Sequence, residues 1–399
     1  MNDSLRMPNF FAKEEDQGDT GLHHLSIEFT GSGSEYFRIW IVNILLVLVT
    51  CGIYFPWAKV RRLKYFYGNT LVDGEPLGFH GLPIKLLQGH VLVGVLFVLY
   101  SWAGQFSTTA GVVAFVAVMA LWPALLNSSM RFRLRNTSWR GLRFDFKGTL
   151  KDAYRAVLPM FAPGLIFVGA LAAVPDPKKA PDWFGLTVAL VSLVSMALLP
   201  WMVYRLKKYQ HDHYVFGPLQ TTFAGTAGSM FKLFLKSFAA TLVTTIVGGV
   251  LMAALAAAMG TAVTATGVTT VPNAMFTQVG MMLAIASFFT LVLVISRTYL
   301  TSRMQNLVWS NTCNTDLAFR SELKFRSLFS LTLKNWVLMI LTLGLYWPFA
   351  AINMARMRLQ AVKVITARDP KELVSAQTLH QGDAAGDAAA DLLGVDIGL

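Results

Sequence analysis

A proline, an amide or imidazole, and a Phe-x-Gly triplet recur along this chain at one spacing. Pro56, Pro123 and Pro200 are followed thirteen residues on by Asn69, Asn136 and His213, and ten residues later by Phe79, Phe146 and Phe223. Each phenylalanine opens a triplet that ends at Gly81, Gly148 or Gly225. The interval is basic each time and follows a long apolar run, so the unit reads as membrane helix, basic connector and re-entry. A chain of such units has to fold as helices in a membrane.

Composition agrees. Of 399 residues, 54% are hydrophobic and 14% charged, with mean hydropathy +0.51, whereas a soluble domain carries about 25% charged residues. Spans are expected near 85–104, 108–127, 155–174, 184–203, 237–260 and 277–297, each long enough to cross a hydrocarbon core. Two further apolar segments lie at 37–58 and 329–352. The lead-in 1–28 is polar and acidic with no apolar stretch, which argues against a cleaved signal peptide. Cys51 and Cys313 are too far apart to suggest a disulfide or metal framework. The segment 367–399 is rich in Ala, Gly and Asp and is expected to be a disordered tail.

The net charge of +12 is placed unevenly. The turns between the paired spans hold only Lys178 and Lys179 as basic residues, offset by Asp176 and Asp182. All other Lys and Arg fall in the opposite loops or the ends, which is the positive-inside pattern and puts the basic connectors in the cytoplasm. There they meet anionic lipid headgroups, and Arg61, Arg62, Lys64, Arg131, Arg133, Arg205, Lys207 and Lys208 are the expected contacts. Membrane lipid, rather than nucleic acid, is the partner that this placement implies.

The triplet also occurs at Phe29–Gly31, and Phe319-Arg320-Ser321 reads as a decayed copy. Five units result, at 29–78, 79–145, 146–222, 223–318 and 319–366. The middle three hold two spans each and the terminal two a single apolar segment. Those two segments are copies of one another: Thr50-Cys-Gly-Ile-Tyr-Phe-Pro-Trp-Ala58 matches Thr342-Leu-Gly-Leu-Tyr-Trp-Pro-Phe-Ala350, and Asn43 and Asn335 each lie nine residues before the glycine. If every connector is cytoplasmic, a single crossing in a terminal unit leaves one end on the wrong side. Gly and Pro break helices, so a re-entrant helix–break–helix resolves the conflict where neighbours cover the freed backbone groups. The fold expected is an all-α polytopic membrane protein with about six full transmembrane helices plus two partial or broken ones, or else eight spans. Short cytoplasmic β-strands are expected near 25–29, 71–79 and 140–146.

Three stretches resemble the YjgN family of bacterial inner-membrane proteins: Phe29-Thr-Gly-Ser-Gly-Ser-Glu-Tyr-Phe37, Thr50-Cys-Gly-Ile-Tyr-Phe-Pro-Trp-Ala-Lys-Val-Arg-Arg62 and Tyr65-Phe-Tyr-Gly-Asn-Thr70. The later copies extend the resemblance over most of 29–366. It implies a multi-pass location in the inner membrane and no particular activity. Unit four departs from the pattern, with Thr298 in place of proline and Phe319 two residues early, and unit five lacks the Asn-Thr pair.

Little in the spans carries chemistry. His90 reads as an interfacial side chain, Lys334 sits close enough to a helix end to snorkel, and no Asp or Glu lies mid-span, which argues against ion-coupled transport. His211-Asp-His213 lacks further ligands nearby and His213 holds the register of Asn69, so it reads as a connector cap and not a metal site. Gly249, Ala253 and Ala257 have the spacing of a helix-packing face. The candidate polar site is the pair of broken helices: Asn43, Thr50 and Gly52 with Asn335, Thr342 and Gly344. Asn there either bonds a neighbouring helix or lines a pseudosymmetric site. No catalytic motif, cofactor or metal is expected, and the protein reads as a non-enzyme. The function expected first is a transporter or channel for a small uncharged or amphiphilic solute. The alternative is a scaffold that binds lipid or a partner through its basic connectors.

Overall fold

The computed structural model describes residues 22–174, 180–265 and 274–367. Most of the polar lead-in, the outer-turn residues Asp176, Lys178 and Lys179, the middle of the outer loop 260–274, and the tail from 368 lie outside the described residues.

Short strands tie the chain together. β1 (His23–Leu25) and β2 (Ile27–Phe29) are one extended segment bent at Ser26, followed by β3 (Thr70–Val72), β4 (Glu75–Phe79), β5 (Thr137–Trp139), β6 (Leu142–Phe146) and β7 (Tyr214–Phe216). β8 (Leu219–Gln220) and β9 (Thr222–Phe223) are likewise one segment bent at Thr221, and β10 (Thr312–Cys313), β11 (Leu317–Ser321) and β12 (Val362–Thr366) complete the set. All pairings are antiparallel, in a five-stranded order β1-β12-β11-β10-β9 and a seven-stranded order β2-β3-β4-β5-β6-β7-β8. The two bent segments belong to both sheets, so the strands close into a ring. The closing contact joins the two ends of the described chain, His23 to Thr366 and Leu25 to Val364.

The ring is filled. Leu25, Trp139 and Val364 are buried at its centre with Ile27, Val72, Leu77, Phe144, Phe216, Leu317 and Phe319 packed against them. Phe216 lies 5.6 Å from Trp139 and 4.9 Å from Phe144, centroid to centroid. The Trp139 indole N–H donates to the Val72 carbonyl at 3.0 Å, which satisfies the one polar atom this core contains on that ring.

At the end of each outgoing strand sits the Phe-x-Gly triplet, and its spacing has a steric cause. Phe29, Phe79, Phe146 and Phe223 are all buried, and each ring folds back over the glycine two residues on. A Cβ at Gly31 would sit 2.7 Å from the Phe29 ring, and one at Gly81 2.6 Å from that of Phe79. The next residue then starts a helix: Ser32 and Thr149 accept from the backbone N–H of Glu35 and Asp152, and Thr226 from that of Ser229. The triplet is a strand-to-helix joint.

The fifth joint is shifted from where the sequence suggested. The residue after each joint phenylalanine donates its N–H to the connector cap: Thr30 to Asn69 O at 3.0 Å, His80 to Asn136 O at 2.8 Å, Lys147 to His213 O at 3.1 Å and Ala224 to Asn311 O at 2.8 Å. The fifth such bond runs from Glu322 to Ala361 O at 2.9 Å. The equivalent positions are therefore Ser321 and Leu323, both buried, and Phe319 belongs to the ring interior. A small residue replaces the ring and a large one replaces the glycine, so the volumes trade places.

These bonds also decide the topology. α1 (Gly33–Val49) and α2 (Phe55–Gly68) lie between residues 30 and 69, which meet in the ring; α10 (Phe325–Leu341) and α11 (Trp347–Gln360) lie between 322 and 361, which also meet there. Both terminal segments thus leave and return on one side. A helix of 17 residues rises about 25 Å, short of a hydrocarbon core of about 30 Å. Among the described residues, the segments long and apolar enough to cross are six: α3 (Pro83–Phe106), α4 (Thr108–Arg135), the run α5 (Leu150–Val157) through α6 (Ala162–Ala172), α7 (Asp182–His211), α8 (Ala227–Ala265) and α9 (Ala274–Ser310). Pro123 and Pro200 lie inside α4 and α7, so there the connector continues the spanning helix, whereas the connector prolines Pro56 and Pro348 open new helices.

The chain divides into two compact units, one holding the ring and the first three helical pairs, the other residues 231–306 and 323–347. Within the second, Thr241 Oγ1 donates to Ser296 Oγ at 2.8 Å and the Phe288 ring packs on Gly248. Gly249, Ala253 and Ala257, expected to form the packing face, are exposed instead. The contact ridge runs through Thr241 and Gly248, seven residues apart and so on one helix face.

Two outcomes test this fold. Leu323→Gly removes buried volume at a cost of about 2–5 kcal/mol and Ser321→Phe overpacks at about 1–3 kcal/mol. The double variant recreates the Phe-x-Gly joint, and thermal unfolding in detergent should show it losing less than the two singles together. With Cys51 replaced by serine, cysteines at Glu75 and Lys363 should label from the same side of the membrane.

Candidate functional site

The two broken helices share one turn, built the same way atom by atom. Thr50 Oγ1 donates to the Leu46 carbonyl at 2.7 Å and accepts from the Tyr54 N–H at 3.0 Å. Thr342 repeats this with Leu338 at 2.7 Å and Tyr346 at 3.0 Å. Each threonine closes one helix and starts the next. Gly52 and Gly344 have φ of +93° and +89°, with open space where a Cβ would point, so glycine is required there by conformation and not by crowding. Cys51 and Leu343, before them, also have positive φ, at 48° and 50°. Four of the six candidate polar residues therefore build the turn.

Asn43 and Asn335 are different. Both are buried within their helices, 6% and 3% exposed, and the Oδ1 atom of each has no hydrogen-bond partner. They belong to separate compact units, Asn43 to the one with the ring and Asn335 to the other.

The basic connectors end in a recurring cap. Asn69, Asn136 and Asn311 each donate from Nδ2 to the carbonyl four residues back, at 2.8, 2.8 and 2.7 Å, and His213 places Nδ1 2.8 Å from the Tyr209 carbonyl. His213 is thus a cap, as its register implies. His211 is buried apart from it, against the Thr312 hydroxyl at 2.9 Å and among Tyr214, Phe223 and Trp309. Among the described residues no group of His, Cys, Asp and Glu could hold a metal. His90 bonds its own helix at Leu86 O, 2.6 Å, and packs on Phe55, and Lys334 is exposed.

The eight cations expected at lipid headgroups divide into two kinds. Arg131 donates to the Gly148 carbonyl at 3.0 Å and Lys207 to Gln210 Oε1 at 3.0 Å, so both hold the fold. Arg61, Lys64 and Arg133 are exposed, Arg62 is exposed over the Phe66 ring, and Arg205 and Lys208 border an open cavity of about 520 Å³. Arg155, Trp201 and Tyr204 line it too; Arg155 carried no signal in the sequence because it lies on α5, outside the connectors. Away from this cavity, positive charge also gathers around Lys59: burial first, then the nearby Arg133 and Arg62, lower its pKa below the usual lysine value.

The family profile described as "Bacterial protein of unknown function (DUF898)" matches residues 24–392. The chain belongs to that family. It is 29% identical over 141 residues to inner membrane protein YjgN of Salmonella typhimurium, covering 35% of this chain and 36% of the relative. To inner membrane protein YjgN of Escherichia coli K12 it is 26% identical over 193 residues, 45% of this chain and 47% of the relative. The chain thus spans less than half the length of these curated relatives. No solved structure matches it. With six apolar helices, it is a multi-pass protein of the inner membrane.

Two substitutions separate the turn residues from the buried amides. Gly52→Ala forces a left-handed alanine and should cost about 1–2 kcal/mol. Asn43→Leu removes an unpaired buried oxygen, whose burial costs about 1–3 kcal/mol, so stability in detergent should hold or rise.

Proposed function

We propose that this protein is a non-enzymatic membrane scaffold that grips anionic lipid at the cytoplasmic face through its basic connectors. The observation that carries this reading is where the helices end. Arg133 and Lys208 lie in the last turns of α4 and α7, and Arg205 lies one turn before the end of α7. Arg61 and Lys64 lie farther back along α2. All are on helices whose caps are bonded into one strand ring. A common anchor ties the ends of these helices to one ring, and each Lys or Arg near an anionic surface contributes about 1 kcal/mol. The filled centre of the ring favours this reading over conduction along its axis. The proposal treats 29–366 as five versions of one strand–helix–helix–strand unit, because the cap-to-joint bond occurs five times.

Transport of a small uncharged or amphiphilic solute is the second reading. The orphaned oxygens of Asn43 and Asn335, at matched places in the two broken helices, favour it.

Lipid carried through purification tests the first reading. In nanodiscs of one part phosphatidylglycerol to three parts phosphatidylcholine, mass spectrometry of the retained lipid should show enrichment of phosphatidylglycerol. Replacing Arg61, Lys64, Arg133 and Lys208 by glutamine should reduce that enrichment at least about twofold. Equal retention of both lipids by the native chain would sink the reading.

A further inference from the structure

Most of the basic rim is exposed side chains, but at the foot of the third helical pair the chain forms an open, concave site. The cavity of about 520 Å³ lies between α5 and the last turns of α7. Its two carboxylates are already committed. Asp212 accepts the Phe223 N–H on Oδ1 at 2.7 Å and pairs with Lys208 on Oδ2 at 3.0 Å. Asp152 accepts from the Thr149 hydroxyl at 2.6 Å in the cap of α5, with His213 Nε2 3.9 Å away. Lys208 already has a carboxylate partner, which leaves the two arginines as the cations of this cavity without one.

Arg205 is positioned and Arg155 is not spent. The Arg205 guanidinium lies 5.0 Å over the Trp201 ring and donates one N–H to the Arg155 carbonyl, so it is oriented while most of its donors remain unused. The Arg155 guanidinium is exposed on the opposite wall, with no hydrogen bond or ion pair to any described residue. Tyr204 contributes a phenol whose ring is set against Phe223 at 6.2 Å. Two guanidinium forks and a hydroxyl around a concave space suit a tetrahedral oxyanion, since the forks match phosphate bidentately. The site sits where the apolar stretch of α7 ends, and Trp201 and Tyr204 are the residue types that settle at a membrane interface.

We propose that this cavity binds the phosphate of an anionic phospholipid headgroup, with Arg155 and Arg205 as the clamp and Trp201 and Tyr204 as the floor against the acyl boundary. This rests on the anionic-lipid reading above and narrows it to one place. Phosphate charge can come from a lipid or from a free anion, and the apolar continuation along α7 selects the lipid.

The test uses the full chain in neutral detergent and calorimetric titration with dihexanoyl phosphatidylglycerol, dihexanoyl phosphatidylcholine and inorganic phosphate. Phosphatidylglycerol should bind most tightly, and Arg155→Gln should weaken it about tenfold, the worth of one charge-assisted contact. Lys151→Gln, on the same helix but outside the cavity, should change it less than about twofold. Arginine footprinting of the unmodified chain gives an independent measure: phosphatidylglycerol should shield Arg155 and Arg205 from a dicarbonyl reagent and leave Arg143 reactive. Equal loss from Lys151→Gln, or no shielding, overturns the site and leaves the wider reading standing. Inorganic phosphate binding as tightly as phosphatidylglycerol overturns the assignment to lipid. No preference for phosphatidylglycerol over phosphatidylcholine in the unmodified chain removes the wider reading itself.

Discussion

The bond from the N–H after each outgoing strand to the carbonyl of the connector cap governs the rest of this structure. It occurs five times, at 2.8–3.1 Å, and joins the start of each helical pair to its end. A helix leaving a membrane must satisfy its last carbonyls and hand the backbone to something that keeps them satisfied. Here the Asn or His side chain takes one of those carbonyls, four residues back, and the cap's own carbonyl enters the ladder. Because both ends of every pair are held in one ring, no pair can finish on the far side of the membrane. The short terminal pairs follow from that constraint as directly as the long ones.

The same joint governs packing. A buried phenylalanine contributes about 1.5–3 kcal/mol, but only where the residue two places on yields the space. Four joints do so with glycine, and the fifth reverses the sizes with Ser321 and Leu323. What is conserved across the five is summed volume at two positions and not the identity of either residue. The interior of the ring is filled on the same terms, by Trp139, Phe144, Phe216 and Phe319. On the lipid reading proposed above, the outer rim, with its arginines and lysines, is where this ring meets its ligand.

The broken terminal helices show how a motif can be functional in appearance and structural in cause. Thr50 and Thr342 cap both sides of their turns, and Gly52 and Gly344 supply a backbone conformation that other residues adopt only under strain. Of the six candidate residues on these two helices, Asn43 and Asn335 are the ones left with an unmet hydrogen-bonding need. Those two amides, and not the break itself, carry whatever polar role these helices have.

Apolar run length, the Pro–Asn–Phe spacing and the side on which Lys and Arg gather were legible in the sequence, because each depends on residues near one another along the chain. Six spans, the strands beside the connectors and the cap role of His213 all follow from such local patterns. Tertiary structure alone decided the rest. Phe319 looks like a joint residue until its pairing with Val364 turns it into the ring. The packing face of α8 falls at Gly248 and not Gly249 because Phe288, forty residues on, sets which side is covered. Arg155 joins Arg205 only because α5 is laid against α7, and the ring closes only because residues 23–25 meet 364–366. Pairings between distant segments are chosen by complementary volume and backbone registry in three dimensions, and neither leaves a periodic trace in the order of residues.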